Sequence, residues 1–230
     1  MMKNKKDVLV FIQARLGSQR VKNKMLKSFA NTNLFEIAIK KVLKSNIPKE
    51  NFYVSVYEKE LKDIANKYGV NIFNRSYESA INDNNLQKIY EWHDKLPFKY
   101  AVKINACCPL LKVSTINSFY DHYINSKHDG LFAVIDKKNY FWDEEGELVT
   151  PWPENQTIMN TKAVGTTYEA AMVFFAGKTS TIKDDIWMGS LRKKNDPELY
   201  VMDEAECFDI DYDWQFESGE VLYTKFNELY

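Results

Sequence analysis

Two clusters of charged residues, near opposite ends of the chain, have the types and spacing needed for phosphate and metal chemistry. Residues 14–24 read ARLGSQRVKNK and contain four basic side chains: Arg15, Arg20, Lys22 and Lys24. Near the other end, Asp209 and Asp211 flank one apolar residue. Guanidinium and ammonium groups neutralise phosphate oxygens, and carboxylates bind hard cations such as Mg²⁺. The two clusters together indicate a site for a metal-bound phosphate compound.

The basic cluster follows an apolar run and has the composition of an anion-binding loop. Backbone N–H groups at Gly17 and Ser18 can approach phosphate oxygens closely, as in other small-residue anion sites. The loop lacks the GK[ST] ending of a Walker loop and the GxGxxG pattern of a dinucleotide site. A solvated basic surface loop is the alternative, because runs of charge usually face water.

The acidic cluster is interpreted as metal-binding because of its spacing. On a strand, Asp209 and Asp211 point to the same face while Ile210 faces the core. Both carboxylates are then available to one Mg²⁺ ion. The alternative is that the pair only caps the following helix, although Asp213 is also available for that role.

The elements that must position these clusters alternate between strand and helix patterns. Predicted strands cover residues 8–13, 51–57, 70–73, 100–106, 130–135, 170–176 and 199–210, and predicted helices cover residues 34–44, 59–69, 86–95, 114–126 and 214–228. A hairpin is predicted around Glu145-Gly146, and residues 150–168 form a candidate active-site flap. The alternation predicts a mainly parallel sheet, in which ligands bind at the carboxyl ends of the strands.

The composition of the chain limits its possible binding partners and its cellular compartment. The 230 residues suit one domain, and 31 basic against 32 acidic residues argue against a nucleic-acid-binding surface. The three cysteines lack metal-ligand spacing, which favours a reducing compartment and therefore a cytoplasmic protein. No apolar stretch is long enough for a membrane span.

Three motifs resemble those of the cytidylyltransferases that make CMP-activated acidic sugars, the CMP-sialate and CMP-Kdo synthetases. ARLGSQRVKNK is similar to their A-R-x-G-S-x-R-x-x-x-K signature, INACCPLL to a central I-Q-A-T-S-P-L stretch, and FDIDYDWQFESGEVL to their I-D-I-D-x-x-x-D-F-x-x-A ending. The resemblance covers nearly the whole chain. It implies an α/β, Rossmann-like nucleotidyltransferase fold in a single domain, residues 1–230, with a small inserted lobe at 137–170 for acceptor binding and dimerisation.

The resemblance also implies a reaction, in which CMP passes from CTP to a small anionic acceptor and pyrophosphate leaves, for surface polysaccharide or glycoconjugate synthesis. A homodimer is expected. Matching positions assign Arg15, Lys24 and Asp211 to catalysis, and Asp209 and Asp211 to Mg²⁺. The nucleotide is assigned to Ala14, Arg15, Gly17, Ser18, Arg20, Lys24, Arg75 and Asn85. An exposed surface arginine is the alternative for Arg75.

The acceptor half departs from the family pattern. Ala170 and Ala171 stand where sialate enzymes have Asn-Gly, which puts sialic acid itself in doubt. The residues assigned to the acceptor are Asn105, Phe141, Trp142, Lys162, Tyr168 and Glu169. Packing of the aromatic segment on the core or on a second subunit is the alternative.

Two other functions are compatible with the same motifs. A glycosyltransferase of the GT-A type also uses a D-x-D metal site, although its D-x-D normally follows a strand in the middle of the chain. A non-catalytic relative could keep the fold and bind nucleotide without turnover. Cys107 and Cys108 have no activating partner in the sequence, and we interpret them as small buried side chains.

Overall fold

A computed structural model describes residues 2–226 of the chain. Its strands are β1 (Val8–Gln13), β2 (Phe52–Val56), β3 (Asn71–Asn74), β4 (Tyr100–Ile104), β5 (Leu131–Lys137), β6 (Thr167–Lys178) and β7 (Glu198–Met202). Its α-helices are α1 (Leu34–Lys44), α2 (Lys59–Lys67), α3 (Tyr77–Ile81), α4 (Leu86–Ile89), α5 (Val113–Asn125) and α6 (Asp213–Phe226). Within residues 2–226, no helix is long and apolar enough to cross a lipid bilayer.

The seven strands form one sheet in the order β3-β2-β1-β4-β6-β5-β7. All neighbouring strands run parallel except at β6, which is antiparallel to both β4 and β5. The predicted α/β class with a mainly parallel sheet is therefore confirmed. The single reversed strand brings residues 172 and 173 of β6 to the carboxyl end of β4, where ligands bind in sheets of this kind.

Two hydrophobic cores cover the two faces of the sheet. The side chains of β1 alternate between them, with Val10 and Ile12 in the larger core and Leu9 and Phe11 in the smaller one. Residues 8–12 are all buried, because a central parallel strand is covered on both faces. The two cores hold the carboxyl end of β1, and hence the start of the basic loop, in place.

Strongly patterned elements form where the sequence predicts them. Strand 8–13 and helix 34–44 have the predicted bounds. The predicted helix 86–95 is instead α4 followed by a 3₁₀ turn, Glu91–Asp94, and α3 was not predicted because it has only five residues. The last two residues of the predicted final helix, 227 and 228, lie outside the described residues.

The predicted strand 199–210 is wrong beyond Met202. Asp203 caps a 3₁₀ helix, Glu204–Cys207, by accepting a hydrogen bond from Ala205 N at 3.0 Å. Residues 208–211 then run outside any strand. A local cap therefore ends the strand before the acidic pair is reached.

The segment predicted as an inserted lobe connects β5 to β6. Between these strands lie a 3₁₀ helix, Thr161–Ala163, and an isolated bridge that pairs Trp142 with Leu148. Gly146 adopts a left-handed φ of 84° in the predicted turn. The boundaries 137 and 170 fall within the strand ends, and the role of the lobe stays a prediction.

A buried lysine supports the loop that follows β4. Lys41 of α1 is 6% exposed and donates hydrogen bonds to Pro109 O and, at 2.5 Å, to Leu111 O. Burial lowers the pKa of Lys41 to about 7, and the nearby Cys108 and Glu206 only partly oppose this effect. The position of the loop therefore depends on a group whose charge changes near neutral pH.

We predict that the free energy of unfolding increases as the pH rises from 7 to 8. In this interval the unfolded chain keeps the Lys41 proton, whose ordinary pKa is 10.5, while the folded chain loses it. The gain should be about 1 kcal/mol, measured by urea denaturation.

Lys41→Met should remove this pH dependence. Lys40→Met on the same helix is the control, because Lys40 is partly exposed and pairs only loosely with Glu36 at 3.7 Å. An unchanged slope in Lys41→Met would contradict the assignment.

Candidate active site

A cavity of about 440 Å³ lies at the carboxyl ends of β1 and β4. Four segments form it: the end of β1 with the loop that follows, the loop between α3 and α4, the start of the loop after β4, and the acidic segment before α6. Its lining residues are Gln13, Ala14, Arg15, Gly17, Ser18, Gln19, Arg20, Lys24, Met25, Asp83, Asn105, Ala106, Cys107 and Asp211. The fold therefore brings the basic loop and Asp211 of the acidic pair to the same cavity.

The basic loop is folded rather than extended into solvent. Val21 and Met25 are buried, and Leu16 N donates to Glu58 Oε1 at 2.8 Å. A side chain added at Gly17 would meet no atom within 4 Å, so this glycine leaves room for a ligand to approach the backbone. Lys22 is exposed, as the alternative of a solvated surface loop predicts. Lys24 is buried, which that alternative does not predict.

Lys24 joins the two ends of the chain. It is 8% exposed, and its Nζ donates to Ile210 O at 2.5 Å and to Asp211 Oδ1 at 3.1 Å. Arg20 Nη2 lies 2.9 Å from the same carboxylate oxygen. Burial disfavours the ammonium, but interactions with Cys107 and Asp211 outweigh it and raise the pKa of Lys24. The site therefore holds a permanent buried cation.

The acidic segment is positioned without belonging to the sheet. Ile210 N donates to Cys107 O at 3.0 Å, and the Ile210 side chain is fully buried, as the alternation of the motif predicts. Gln215 Oε1 accepts from Asp211 N at 2.7 Å and Tyr212 N at 2.9 Å. Asp213, the predicted cap, is instead the first residue of α6 and pairs with Lys27 at 3.3 Å.

Asp209 has the environment of a cation ligand. Its Oδ1 is buried and has no hydrogen-bond partner among residues 2–226, and its Oδ2 lies 3.4 Å from Asn105 Nδ2. Burial, and then the neighbouring Asp211, raise the pKa of Asp209, while Lys24 and Arg20 act in the opposite sense. A buried, unpaired carboxylate oxygen is costly unless a ligand satisfies it.

The described residues contain no cluster of three or more histidine, cysteine, aspartate or glutamate side chains suited to a metal. This is compatible with Mg²⁺, which is usually held by one or two carboxylates together with water and substrate phosphates. The residues present therefore fit a magnesium ion held by one or both of these carboxylates.

The structure brings Arg15 to the cavity but gives it protein partners. Its Nη2 lies 2.6 Å from Asp83 Oδ1 and its Nη1 donates to Ala80 O at 3.0 Å. Asp83 was not predicted, since nothing in the sequence distinguishes it from other loop carboxylates. An arriving triphosphate would compete with Asp83 for this guanidinium.

Arg75 is buried, so the alternative of an exposed surface arginine is wrong. It is 5% exposed, and it donates from Nε to Ser79 Oγ at 3.1 Å and from Nη2 to Ser79 O at 2.6 Å. Burial lowers the pKa of Arg75 to about 10, with the nearby Arg15 acting in the same direction.

Arg75 lines a second cavity, of about 280 Å³, next to the first. The two cavities share Gln13, Ala14, Arg15 and Asp83. Asn85 lines neither of them; its side chain instead caps α4 by accepting from Lys88 N at 2.9 Å. Its predicted nucleotide contact stays untested.

Among the six predicted acceptor residues, only Asn105 lines the main cavity as formed by residues 2–226. Phe141, Trp142 and Tyr168 are largely exposed, and Glu169 pairs with Lys137 at 3.4 Å. Lys162 lies in the 3₁₀ helix Thr161–Ala163 of the lobe. Their acceptor roles therefore remain predictions that depend on the lobe.

Of the two cysteines interpreted as small buried side chains, Cys108 is buried, whereas Cys107 is partly exposed and lines the cavity. Cys207 is also buried. Burial raises the pKa of the Cys107 thiol to about 11, although Lys24 opposes the effect. Cys107 is therefore a protonated thiol and a poor nucleophile at neutral pH.

Comparison with known sequences gives a family match over most of the chain. Residues 9–183 match the sequence model of the cytidylyltransferase family. The chain is 25% identical over 236 residues to post-translational flagellin modification protein B of Campylobacter coli, covering 96% of this chain and 97% of that one. It is 29% identical over 133 residues to 3-deoxy-manno-octulosonate cytidylyltransferase of Rickettsia felis. That match spans 56% of this chain and about half, 52%, of the Rickettsia protein.

Solved structures share the fold. A CMP:2-keto-3-deoxy-manno-octonic acid synthetase complexed with CTP superposes with a TM-score of 0.64 at 11% identity, covering 95% of this chain and 99% of that one. A 4-diphosphocytidyl-2C-methyl-D-erythritol synthase from Anaerococcus prevotii gives a TM-score of 0.65 at 13% identity, covering 94% and 96%. At these identities the likeness shows the fold alone.

We predict that Asp209→Asn raises the melting temperature of the protein in EDTA at pH 7.5 by about 2 °C or more. The raised pKa of Asp209 means that its ionisation opposes folding at pH values above the ordinary aspartate range. The gain should therefore be larger at pH 7.5 than at pH 5. Asp213→Asn is the control, since Asp213 is exposed and close to the same segment. A lower melting temperature for Asp209→Asn would show that the nearby cations more than compensate its burial.

Proposed function

Because the chain belongs to the cytidylyltransferase family, we propose that it transfers CMP from CTP to a hydroxyl group of an acidic sugar and releases pyrophosphate. The observation that carries this proposal is the convergence of Lys24, Arg20 and Asp211 in one cavity. The sugar acid named for the Rickettsia relative supports the acceptor class. A nonulosonic or Kdo-like acid is the acceptor type we propose.

Two adjoining cavities support a placement for CTP. We place the triphosphate in the main cavity, against Gly17, Ser18 and the basic side chains, and the cytosine in the smaller cavity beside Arg75. In the reaction, the acceptor oxygen bonds to the α-phosphorus, the bond between that phosphorus and the β-phosphate oxygen breaks, and the hydroxyl proton passes to solvent. Lys24 and Arg20 stabilise the negative charge that accumulates on the departing pyrophosphate.

Arg15 binds the triphosphate as well, by exchanging its ion pair with Asp83 for one with a phosphate group. In the structure its guanidinium is bound to Asp83, whose side chain is 71% exposed. An exposed ion pair of this kind contributes little stability, so a multiply charged phosphate can replace the carboxylate at low cost. Arg15 is therefore available to the nucleotide although it is paired in its absence.

Asp209 and Asp211 are the residues that would hold Mg²⁺. The unpaired Oδ1 of Asp209 would supply one ligand, and the Asp211 carboxylate, which also contacts Lys24 and Arg20, would supply another. An ion held there would supply Lewis-acid polarisation of the α-phosphate and would lower the pKa of the acceptor hydroxyl. The acidic segment also orients Lys24, because Lys24 Nζ contacts the Ile210 carbonyl oxygen and the Asp211 carboxylate.

The acceptor binds beside the carboxyl end of β4 and the neighbouring residues 172–174 of β6, and the lobe between β5 and β6 covers it. We place Phe141, Trp142, Lys162, Tyr168 and Glu169 around the acceptor only when the lobe is supported by a second copy of the chain. The lobe exposes several large apolar side chains that a partner would bury: Trp142, Trp152, Ile158 and Met159. The proposed assembly is therefore a homodimer. A monomeric mass in light scattering, at the concentration used for activity assays, would contradict this proposal.

The test of the proposed function is release of pyrophosphate from CTP in the presence of Mg²⁺ and a panel of sugar acids, with the CMP conjugate identified by mass spectrometry. A glycosyltransferase would instead consume nucleotide sugars, and the family match gives that alternative no support. A non-catalytic relative would bind CTP with no turnover for any member of the panel.

In this assay Lys24→Ala should lower kcat/KM by about 100-fold, because it removes a cation that contacts the departing phosphates. Lys22→Ala is the matched control, since Lys22 lies two residues away, is exposed and does not line the cavity. It should stay within about threefold of the unmodified protein, as expected for an exposed charge. Equal losses in both variants would indicate general electrostatic attraction rather than a specific contact.

A further inference from the structure

The side-chain amide of Asn105 is already occupied by protein contacts. Nδ2 donates to Met172 O at 2.9 Å and lies 3.4 Å from Asp209 Oδ2, while Oδ1 accepts from Cys107 N at 3.0 Å. An amide has two N–H donors and one carbonyl oxygen with two lone pairs. Both donors are thus directed at protein oxygens, and little capacity is left for a substrate.

These contacts tie together three segments that are distant in sequence. Met172 belongs to β6, Cys107 to the loop after β4, and Asp209 to the acidic segment. Two main-chain hydrogen bonds join the same segments. Asn105 N donates to Val173 O at 2.9 Å, and Ile210 N donates to Cys107 O at 3.0 Å. Asn105 therefore lies at the junction on which the position of Asp209 depends.

The β6 partner has an unusual backbone conformation. Met172 has a left-handed φ of 55°, at a point where the register between β5 and β6 shifts. Irregularities of this kind re-aim groups on a strand, and non-glycine residues keep them only where neighbouring groups hold them. The hydrogen bond from Asn105 to Met172 O is such a restraint.

From this geometry we propose that Asn105 is a positioning residue for the divalent cation, and not an acceptor-binding group. By donating to Oδ2, Asn105 holds the Asp209 carboxylate so that its unpaired Oδ1 is free for the ion. Outer-shell partners of this kind fix the orientation of a ligating carboxylate. The inference rests on the proposed function, because it requires the carboxylate to meet a metal.

The experiment measures binding of Mn²⁺ alone, by electron paramagnetic resonance, to the full chain and to Asn105→Ala. The variant should bind Mn²⁺ about 10- to 100-fold more weakly. Its affinity for CTP in EDTA should fall by a smaller factor than its affinity for Mn²⁺, because the described hydrogen bonds of Asn105 go to β6, the loop after β4 and the acidic segment, and not to the basic loop. Asn125→Ala is the matched control, since Asn125 is exposed at the end of α5 and bonds only locally, to Asp121 O.

Should Asn105→Ala fail to fold, Asn105→Ser keeps a polar group at the junction but is too short to connect Cys107 N with Asp209. It should show the same selective loss of Mn²⁺ affinity. Unchanged Mn²⁺ affinity in the folded variants, or no Mn²⁺ binding by the unmodified chain, overturns the inference. CTP binding in EDTA and pyrophosphate release by the unmodified chain report separately on the proposed function, so the two failures are distinguishable.

Discussion

The contact of Lys24 with the Ile210 carbonyl and the Asp211 carboxylate is the constraint on which the site depends. A buried ammonium is tolerated only when oxygen atoms replace its water. Those oxygens come from a segment 186 residues later in the chain. The basic loop and the acidic segment can therefore be correctly placed only when the sheet between them is complete.

The one reversed strand of the sheet, β6, contributes contacts that hold these two segments in place. β4 and β6 run in opposite directions, so Asn105 N, just beyond the end of β4, meets Val173 O within β6. The same place on β6 supplies Met172 O to the Asn105 side chain. A parallel strand in this position would place the β6 residues in the opposite direction, and the acidic segment would lose the junction to which it is attached. Through Asn105, the antiparallel strand is thus connected to the loop after β4 and to the acidic segment.

Two charged groups at the site are incompletely satisfied by the protein itself. Asp209 has a buried oxygen with no partner among the described residues and a raised pKa, and Arg15 is paired with a largely exposed loop carboxylate, that of Asp83. Unsatisfied groups of this kind lower stability, and proteins keep them at functional sites where a ligand later supplies the missing interaction. Lys41, a second buried lysine, shows the contrasting case, because its pKa falls where Lys24's rises. Burial is the largest effect on the pKa of both lysines, but interactions with Cys107 and Asp211 outweigh it at Lys24, whereas Cys108 and Glu206 only partly oppose it at Lys41.

The sequence by itself determined the elements whose signal is local. The uninterrupted apolar run of β1 and the amphipathic pattern of α1 predict their own bounds, and the charged motifs identify the loop and the acidic pair. Tertiary structure alone decided the course of residues 203–212, the burial of Arg75 against Ser79, and the pairing of Arg15 with Asp83. It also decided that Asn85 caps a helix and that Asn105 is committed to protein partners. The physical reason is that each of these outcomes depends on which distant or neighbouring group satisfies a hydrogen bond or a charge, and residue type and spacing do not specify that partner.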